Sequence, residues 1–167
     1  MTACARPERG KNLPNRKTPV HLPLSSAHNR SALVFLTICT DRRKPILAHD
    51  DVHDLLLASW KKADAWLVGR YVLMPDHVHL FCSPNDTEPV SLSKWVQFWK
   101  SQSSSRWPRR GEQPIWQKSC WDTQLRRGDS YENKWDYVRQ NPVRHGLVRG
   151  IEDWPYQGEL NILEWHD

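Results

Sequence analysis

The chain has 167 residues, a length typical of one domain and sufficient to bury a core without disulfides or a structural metal. Its formal net charge is +5, and the charge is unevenly distributed: residues 1–30 carry six Lys or Arg side chains against one acid, and residues 89–149 carry twelve against five. Two basic segments favour an anionic partner, most often nucleic acid, although a solvated charged surface would have the same composition. No apolar stretch approaches the ~20 residues that span a bilayer, which argues against a membrane protein.

The four cysteines show no CxxC spacing and no zinc pattern, so we expect free thiols in a reducing compartment. The N-terminus also lacks the apolar segment of a signal peptide. Together these features predict a cytoplasmic location. Ten tryptophans predict an aromatic core, although indoles beside cations also stack unpaired bases.

Residues 1–30 contain four prolines and no hydrophobic periodicity, which predicts a basic, extended tail; residues 31–167 are predicted to form one domain. Within that domain, hydrophobic period and breaker residues predict seven elements in chain order. They are a buried strand at 33–39, a helix over 50–67, strands at 70–74 and 77–82, a helix over 91–104, a short strand within 115–125, and a helix from 129 to about 141. The capping-box spacing of Asp129 and Glu132 is expected to open the last helix, and Pro142 is expected to end it. This order is a split βαβ pattern. It predicts an α+β fold: a ferredoxin-like antiparallel sheet with helices on one face and an added C-terminal helix.

Two histidines, His77 and His79, begin the third predicted strand. Because side chains alternate along a strand, both imidazoles share one face with Phe81. The apolar residues expected in the core occupy the other face: Val78, Leu80 and Cys82. Two neutral imidazoles at this spacing are natural ligands of a divalent metal, although a lone pair of this kind is more often structural. Phe81 stands where a histidine-triad hydrolase would have its third histidine, so a third ligand must come from elsewhere.

The last predicted helix offers candidates. Tyr131, Trp135 and Val138 form one stripe at helical spacing, which predicts that they face the core. Lys134, Tyr137 and Asn141 form a separate flank. Tyr137 is either an ordinary half-buried helix residue or a nucleophile one turn before an amide that can donate an oxygen ligand.

Several motifs together resemble the REP-associated tyrosine transposases, which belong to the HUH single-tyrosine transposases. The motifs are Met-Pro-Asp-His-Val-His-Leu-Phe at 74–81, Ile-Trp-Gln at 115–117, Trp-Asp at 121–122, Tyr-Val-Arg-Gln-Asn-Pro-Val-Arg-His-Gly-Leu-Val at 137–148 and Trp-Pro-Tyr at 154–156. The resemblance runs from about residue 33 to residue 156, in the family's order.

The resemblance implies a role for each matching residue. His77 and His79 match the metal-binding histidines, Tyr137 matches the nucleophile, and Asn141 stands where the family has its third ligand. Gln140 is the rival for that ligand position. The family's activity implies cleavage of single-stranded DNA at palindromic hairpins with Mg²⁺ or Mn²⁺, through a 5′-phosphotyrosine that needs no nucleotide cofactor.

The basic side chains of the central region are expected to follow the phosphate backbone of that DNA. They are Lys94, Lys100, Arg106, Arg109, Arg110, Arg126, Arg127 and Lys134. Either a monomer or a homodimer is compatible with the sequence, since the last helix could complete its own active site or a partner's. Two alternatives remain: a nucleic-acid-binding module without chemistry, and a rolling-circle replication initiator, whose flanking motifs are not matched.

Overall fold

The computed structural model describes residues 32–126 and 129–165. The predicted tail at 1–30 and Arg127 lie outside the described residues. The strands are β1 (Val34–Cys39), β2 (Trp66–Leu73), β3 (His77–Pro84), β4 (Trp121–Gln124) and β5 (Gln157–Glu159). The helices are α1 (Asp50–Lys62), α2 (Leu92–Ser105), α3 (Tyr131–Arg139) and the single turn α4 (Asn141–Arg144).

The five strands form one antiparallel sheet in the order β4-β1-β3-β2-β5. The first four strands have the order of a ferredoxin-like sheet, which confirms the predicted fold class. The edge strand β5 was not predicted, because its three residues, Gln-Gly-Glu, carry no apolar alternation.

The central strand β3 divides the core into two parts. Val78, Leu80 and Cys82 lie on the face covered by α1 and α2, as predicted, whereas Phe81 packs on the opposite face. In the register of the sheet, His79 lies between Thr37 of β1 and Val72 of β2, so all three share the face of Phe81.

A cluster of tryptophans joins α1 and α2 to the sheet. Trp60 meets Trp99 edge to face at 6.0 Å between ring centroids, and Trp99 meets Trp116 at 5.4 Å. Rings of this size remove large apolar areas from water, which explains the unusual tryptophan content. Helix α1 is shorter than predicted: it ends at Lys62, and Leu67, expected on its apolar face, belongs to β2.

Helix α3 packs on the face of the sheet opposite α1 and α2. Its N-cap is Ser130, whose side chain accepts a hydrogen bond from the Asn133 amide, rather than Asp129 as the spacing suggested. Tyr131 and Val138 are buried, as predicted, and Tyr131 lies edge to face on Phe81 at 4.8 Å. Pro142 was expected to end the helical segment; instead it lies in the first turn of α4, where proline needs no amide partner.

Within residues 32–126 and 129–165, no helix has both the length and the hydropathy needed to cross a bilayer.

Candidate active site

The two histidines of β3 converge on one point. His77 Nε2 and His79 Nε2 are 3.1 Å apart, and the two rings are nearly perpendicular, with centroids 4.6 Å apart. Two nitrogens bound to one ion at about 2.1 Å in adjacent octahedral positions are separated by about 3 Å. The pair therefore fits a divalent cation.

Each imidazole is held through its other nitrogen. His77 Nδ1 lies 2.7 Å from Asp76 Oδ1, and His79 Nδ1 lies 2.9 Å from Thr37 Oγ1. A carboxylate or hydroxyl on the far nitrogen of a ligating histidine fixes the ring and its tautomer. A hydroxyl can donate or accept, so Thr37 serves His79 whether its proton lies on Nδ1 or Nε2.

Both histidines are neutral at pH 7. Burial is the main cause that lowers the pKa of His79 to about 3; the nearby His77, Arg43, His145 and Lys134 contribute in the same direction when they are protonated. Burial also lowers the pKa of His77, although Asp76 partly offsets this effect. Metal binding requires neutral imidazole, so the environment already favours the ligating form.

The segment from α3 to α4 passes beside this pair. Near its start, Lys134 Nζ lies 5.1 Å from the ring centroid of Phe35, and that ring stacks on His79 at 5.4 Å. At its end, His145 lies close enough to contribute to the lowered pKa values of both histidines. Tyr137 and Asn141 lie between these two points along the chain. Phe35 and His145 were missed in the sequence, because only the strand register and the helix packing bring them to the pair.

Tyr137 projects from the solvent side of α3. Its side chain is 62% exposed, and the guanidinium of Arg144 lies 3.9 Å from its ring centroid. Tyr131, the other tyrosine of α3, is only 5% exposed, and burial raises its pKa to about 12. Of the two hydroxyls, that of Tyr137 is the accessible one.

Asn141 has a structural contact of its own. Its Nδ2 donates a hydrogen bond to the carbonyl of Val138 at 2.8 Å. Pro142, four residues after Val138, has no amide hydrogen and cannot donate to that carbonyl. The amide oxygen Oδ1 is therefore the atom of Asn141 that remains for a ligand. Gln140 precedes it as the N-cap of α4 and makes no side-chain capping bond.

No group of three His, Cys, Asp or Glu side chains that could share an ion occurs in the described part of the chain.

Residues 30–140 match the family described as "Transposase IS200 like". The chain belongs to this family. The predicted resemblance to REP-associated tyrosine transposases, which rested on motifs within and just beyond this range, is thereby supported at the family level.

Two curated relatives confirm that resemblance. The chain is 28% identical to the REP-associated tyrosine transposase of Escherichia coli (strain K12) over 89 residues, which are 53% of this chain and 52% of the relative. It is 29% identical to a putative REP-associated tyrosine transposase of Haemophilus influenzae over 141 residues, 76% of this chain and 79% of the relative. The chain thus matches about half the length of the first relative and most of the second.

A solved structure described as a REP-associated tyrosine transposase bound to a REP hairpin shares the fold. Its TM-score is 0.64, with 24% sequence identity over 78% of each chain. The IS200-like transposase fold therefore extends over most of this chain.

The structure divides the basic residues that were expected to form one surface on this transposase fold. Lys134 and Arg126 accompany α3 and the loop before it, whereas the exposed Lys94, Arg106 and Arg110 belong to α2 and the segment after it, in the layer behind the sheet. The two groups therefore lie on opposite sides of the sheet.

Two of these basic residues are committed to contacts within the protein. Lys100 is only 8% exposed, and its ammonium donates to the carbonyl of Gln117 at 2.8 Å. Its assignment as a DNA contact is wrong in this structure, because the aliphatic stem is packed in the core and the charge is used internally. Arg109 is paired with Glu112 at 2.8 Å and with Asp51 at 2.7 Å, so its charge is already neutralised.

The contact between Asn141 and Val138 can be tested by one isosteric change. Asn141→Asp replaces the donor Nδ2 by a carboxylate oxygen facing a carbonyl, and it should lower the free energy of unfolding by about 1–3 kcal/mol. Gln140→Glu makes the same change on the neighbouring exposed side chain and should stay within about 0.5 kcal/mol of wild type. Urea unfolding at pH 7 measures both; equal losses would contradict the structural role of Asn141.

Proposed function

We propose that this protein cleaves and rejoins single-stranded DNA at palindromic hairpins, with Tyr137 as the nucleophile. The observation that carries the proposal is the convergence of two neutral histidines, 3.1 Å apart at Nε2, on the sheet face along which the segment bearing the exposed Tyr137 runs. Membership of the IS200-like transposases supports the chemistry, and the hairpin named for the structural neighbour supports the substrate.

The bonds made and broken in this reaction involve only the Tyr137 hydroxyl and the phosphodiester of the DNA. Tyr137 Oη attacks the phosphorus and forms the bond of a 5′-phosphotyrosine, while its proton passes to solvent. The bond from phosphorus to the 3′ oxygen breaks, and that oxygen takes up a proton to leave as a 3′-OH. Attack by a second 3′-OH on the phosphotyrosine reverses these steps and joins a new strand, so no nucleotide cofactor is consumed.

We assign His77 and His79 as the residues that would hold Mg²⁺ or Mn²⁺, with Asn141 Oδ1 as third protein ligand and Gln140 as its alternative. A divalent ion there supplies Lewis-acid polarisation of the scissile phosphate. Thr37 and Asp76 orient the two rings, and Phe35 excludes water from one side of His79. Arg144, stacked on the ring of Tyr137, offers a positive charge to a phosphate brought to that hydroxyl.

We place the DNA on the face of the sheet that carries the histidine pair. Lys134 and Arg126 are the cations expected along its backbone there, together with Arg144. Lys94, Arg106 and Arg110 would meet only DNA that continues around the molecule. Action on DNA also favours a cytoplasmic location, and α3 could complete the active site of its own chain or that of a partner in a homodimer.

Tyr137→Phe tests the nucleophile. Loss of the hydroxyl removes the covalent step and leaves the surface charge unchanged. We therefore expect wild-type binding of a labelled hairpin oligonucleotide and no protein–DNA adduct after denaturation. Tyr131→Phe is the control on the same helix and should still form the adduct, since its hydroxyl is buried. An adduct that persists in Tyr137→Phe and vanishes in Tyr131→Phe would refute the assignment, and hairpin binding without any adduct in the wild type would favour a binding module without chemistry.

Removing the proposed metal ligands should stop adduct formation without unfolding the protein. His77→Ala and His79→Ala delete side chains on the face away from the α1–α2 core, so circular dichroism should retain the folded spectrum while cleavage is lost. His49→Ala removes an exposed imidazole whose side chain makes no capping bond, and it should cleave at the wild-type rate. Undiminished wild-type cleavage in excess chelator would contradict the metal assignment.

Substitutions of Lys134 and Lys100 test the proposed DNA surface, because Lys134 is expected to contact DNA and Lys100 is internal. Lys134→Met should weaken hairpin binding and reduce the slope of log affinity against log salt by about 0.7, the value for one phosphate contact on a single strand. Lys100→Met removes the same charge from an internal site and should leave the slope unchanged, whatever its effect on stability. Slopes that change equally in both variants would argue against a DNA track beside Lys134.

A further inference from the structure

The turn that follows β1 holds two arginines in an uncommon backbone conformation. Arg42 has φ = 52° and Arg43 has φ = 58°, within the left-handed region that disfavours residues with a Cβ. Such a backbone conformation is held by contacts of the surrounding structure. The two side chains differ sharply in this respect.

The Arg43 side chain makes two close polar contacts, whereas the Arg42 side chain is mostly exposed. Arg43 Nε lies 2.8 Å from Asp76 Oδ2, and its Nη1 lies 2.7 Å from Cys39 Sγ. The guanidinium thus bridges the end of β1 and the turn before β3. Arg42 is 90% exposed, and its nearest ionic partner, Asp41, is 3.8 Å away.

Asp76 connects Arg43 to the histidine pair. Asp76 presents Oδ2 to Arg43 and Oδ1 to His77 Nδ1, at 2.7 Å, and His77 Nε2 in turn lies 3.1 Å from His79 Nε2. The backbone of Asp76 is held separately, because Thr40 donates to its carbonyl from both the amide and the hydroxyl, each at 3.0 Å. What Arg43 adds is the orientation of the Asp76 carboxylate.

We propose that Arg43 is a positioning residue for the metal site: by holding Asp76 against His77 it keeps the two imidazoles aimed at one point. The inference rests on the metal site proposed above and concerns a residue outside the ligand set. Arg43 was not among the candidate residues in the sequence, because its role depends on a contact across 33 positions of the chain.

The direction in which the affinity for a divalent ion changes when Arg43 is removed distinguishes a positioning role from a simple electrostatic effect. Arg43 is a cation close to the site, so if it acted only through space, its removal would tighten the binding of a divalent ion. If it positions the ligands, its removal weakens binding, because it releases Asp76, the partner behind His77, and loss of such a partner typically costs 10–100-fold in affinity.

The experiment titrates the full chain with Mn²⁺ at about 0.15 M salt, where distant exposed charges are screened, and counts free Mn²⁺ by electron paramagnetic resonance. Arg43→Ala should weaken Mn²⁺ binding at least about tenfold. Arg42→Ala removes the same charge from the same backbone conformation and should leave the affinity within about twofold. Arg43→Lys retains the charge without the planar fork, and it should also weaken binding.

A double-mutant cycle tests whether Arg43 acts through Asp76. In an Asp76→Asn background the change Arg43→Ala should have little further effect, because the link is already broken. Tighter or unchanged Mn²⁺ binding in Arg43→Ala, wild-type affinity in Arg43→Lys, or an undiminished effect in the Asp76→Asn background would overturn the proposal.

His79→Ala separates failure of this inference from failure of the proposed function. If that variant loses Mn²⁺ binding while Arg43→Ala retains it, the metal site stands and the role of Arg43 is overturned. If His79→Ala binds Mn²⁺ as the wild type does, the proposed metal site is overturned, and the role of Arg43 with it.

Discussion

The candidate active site depends on the alternation of side chains along β3, the middle strand of the sheet. With β1 and β2 paired on either side, one face of β3 is committed to the core beneath α1 and α2. Its other face must then present His77 and His79 together. A shift of one residue in register would turn both imidazoles into the core beneath α1 and α2 and move the apolar set to the opposite face, so the packing of Val78 and Leu80 also fixes where the histidines point.

A second constraint places the segment that carries Tyr137. Helix α3 is anchored to the sheet by Tyr131 and Val138, and the junction with α4 is closed by the Asn141 side chain, which occupies a carbonyl that Pro142 cannot satisfy. The stripe that faces the core thus sets the opposite orientation of Tyr137. The Nδ2 atom of Asn141 makes this structural contact, whereas its Oδ1 atom is the one proposed as a metal ligand.

The basic composition of residues 89–149 does not show which of these side chains lie near the site. Described basic side chains of residues 89–149 lie on both sides of the sheet, and those engaged internally include Lys100, with a carbonyl, and Arg109, with two carboxylates. Meanwhile Arg43, from a different part of the chain, comes to lie behind His77 through Asp76. Local charge density therefore does not show which basic side chains are engaged within the protein, and it missed the turn after β1.

The sequence by itself determined the order of the main elements, the two faces of β3, the stripe on α3 and the family, since these follow from short-range periodicity and from motifs contiguous in the chain. It left β5 unpredicted, extended α1 to residue 67 instead of Lys62, and placed the cap of α3 at Asp129 instead of Ser130. Short edge strands and helix ends carry weak local signals. Only the tertiary structure decided which distant residues meet the histidines. Thr37 and Phe35 reach His79 across the strand register, and Arg43 reaches Asp76 from the turn after β1. Such contacts depend on how the sheet assembles rather than on any spacing along the chain.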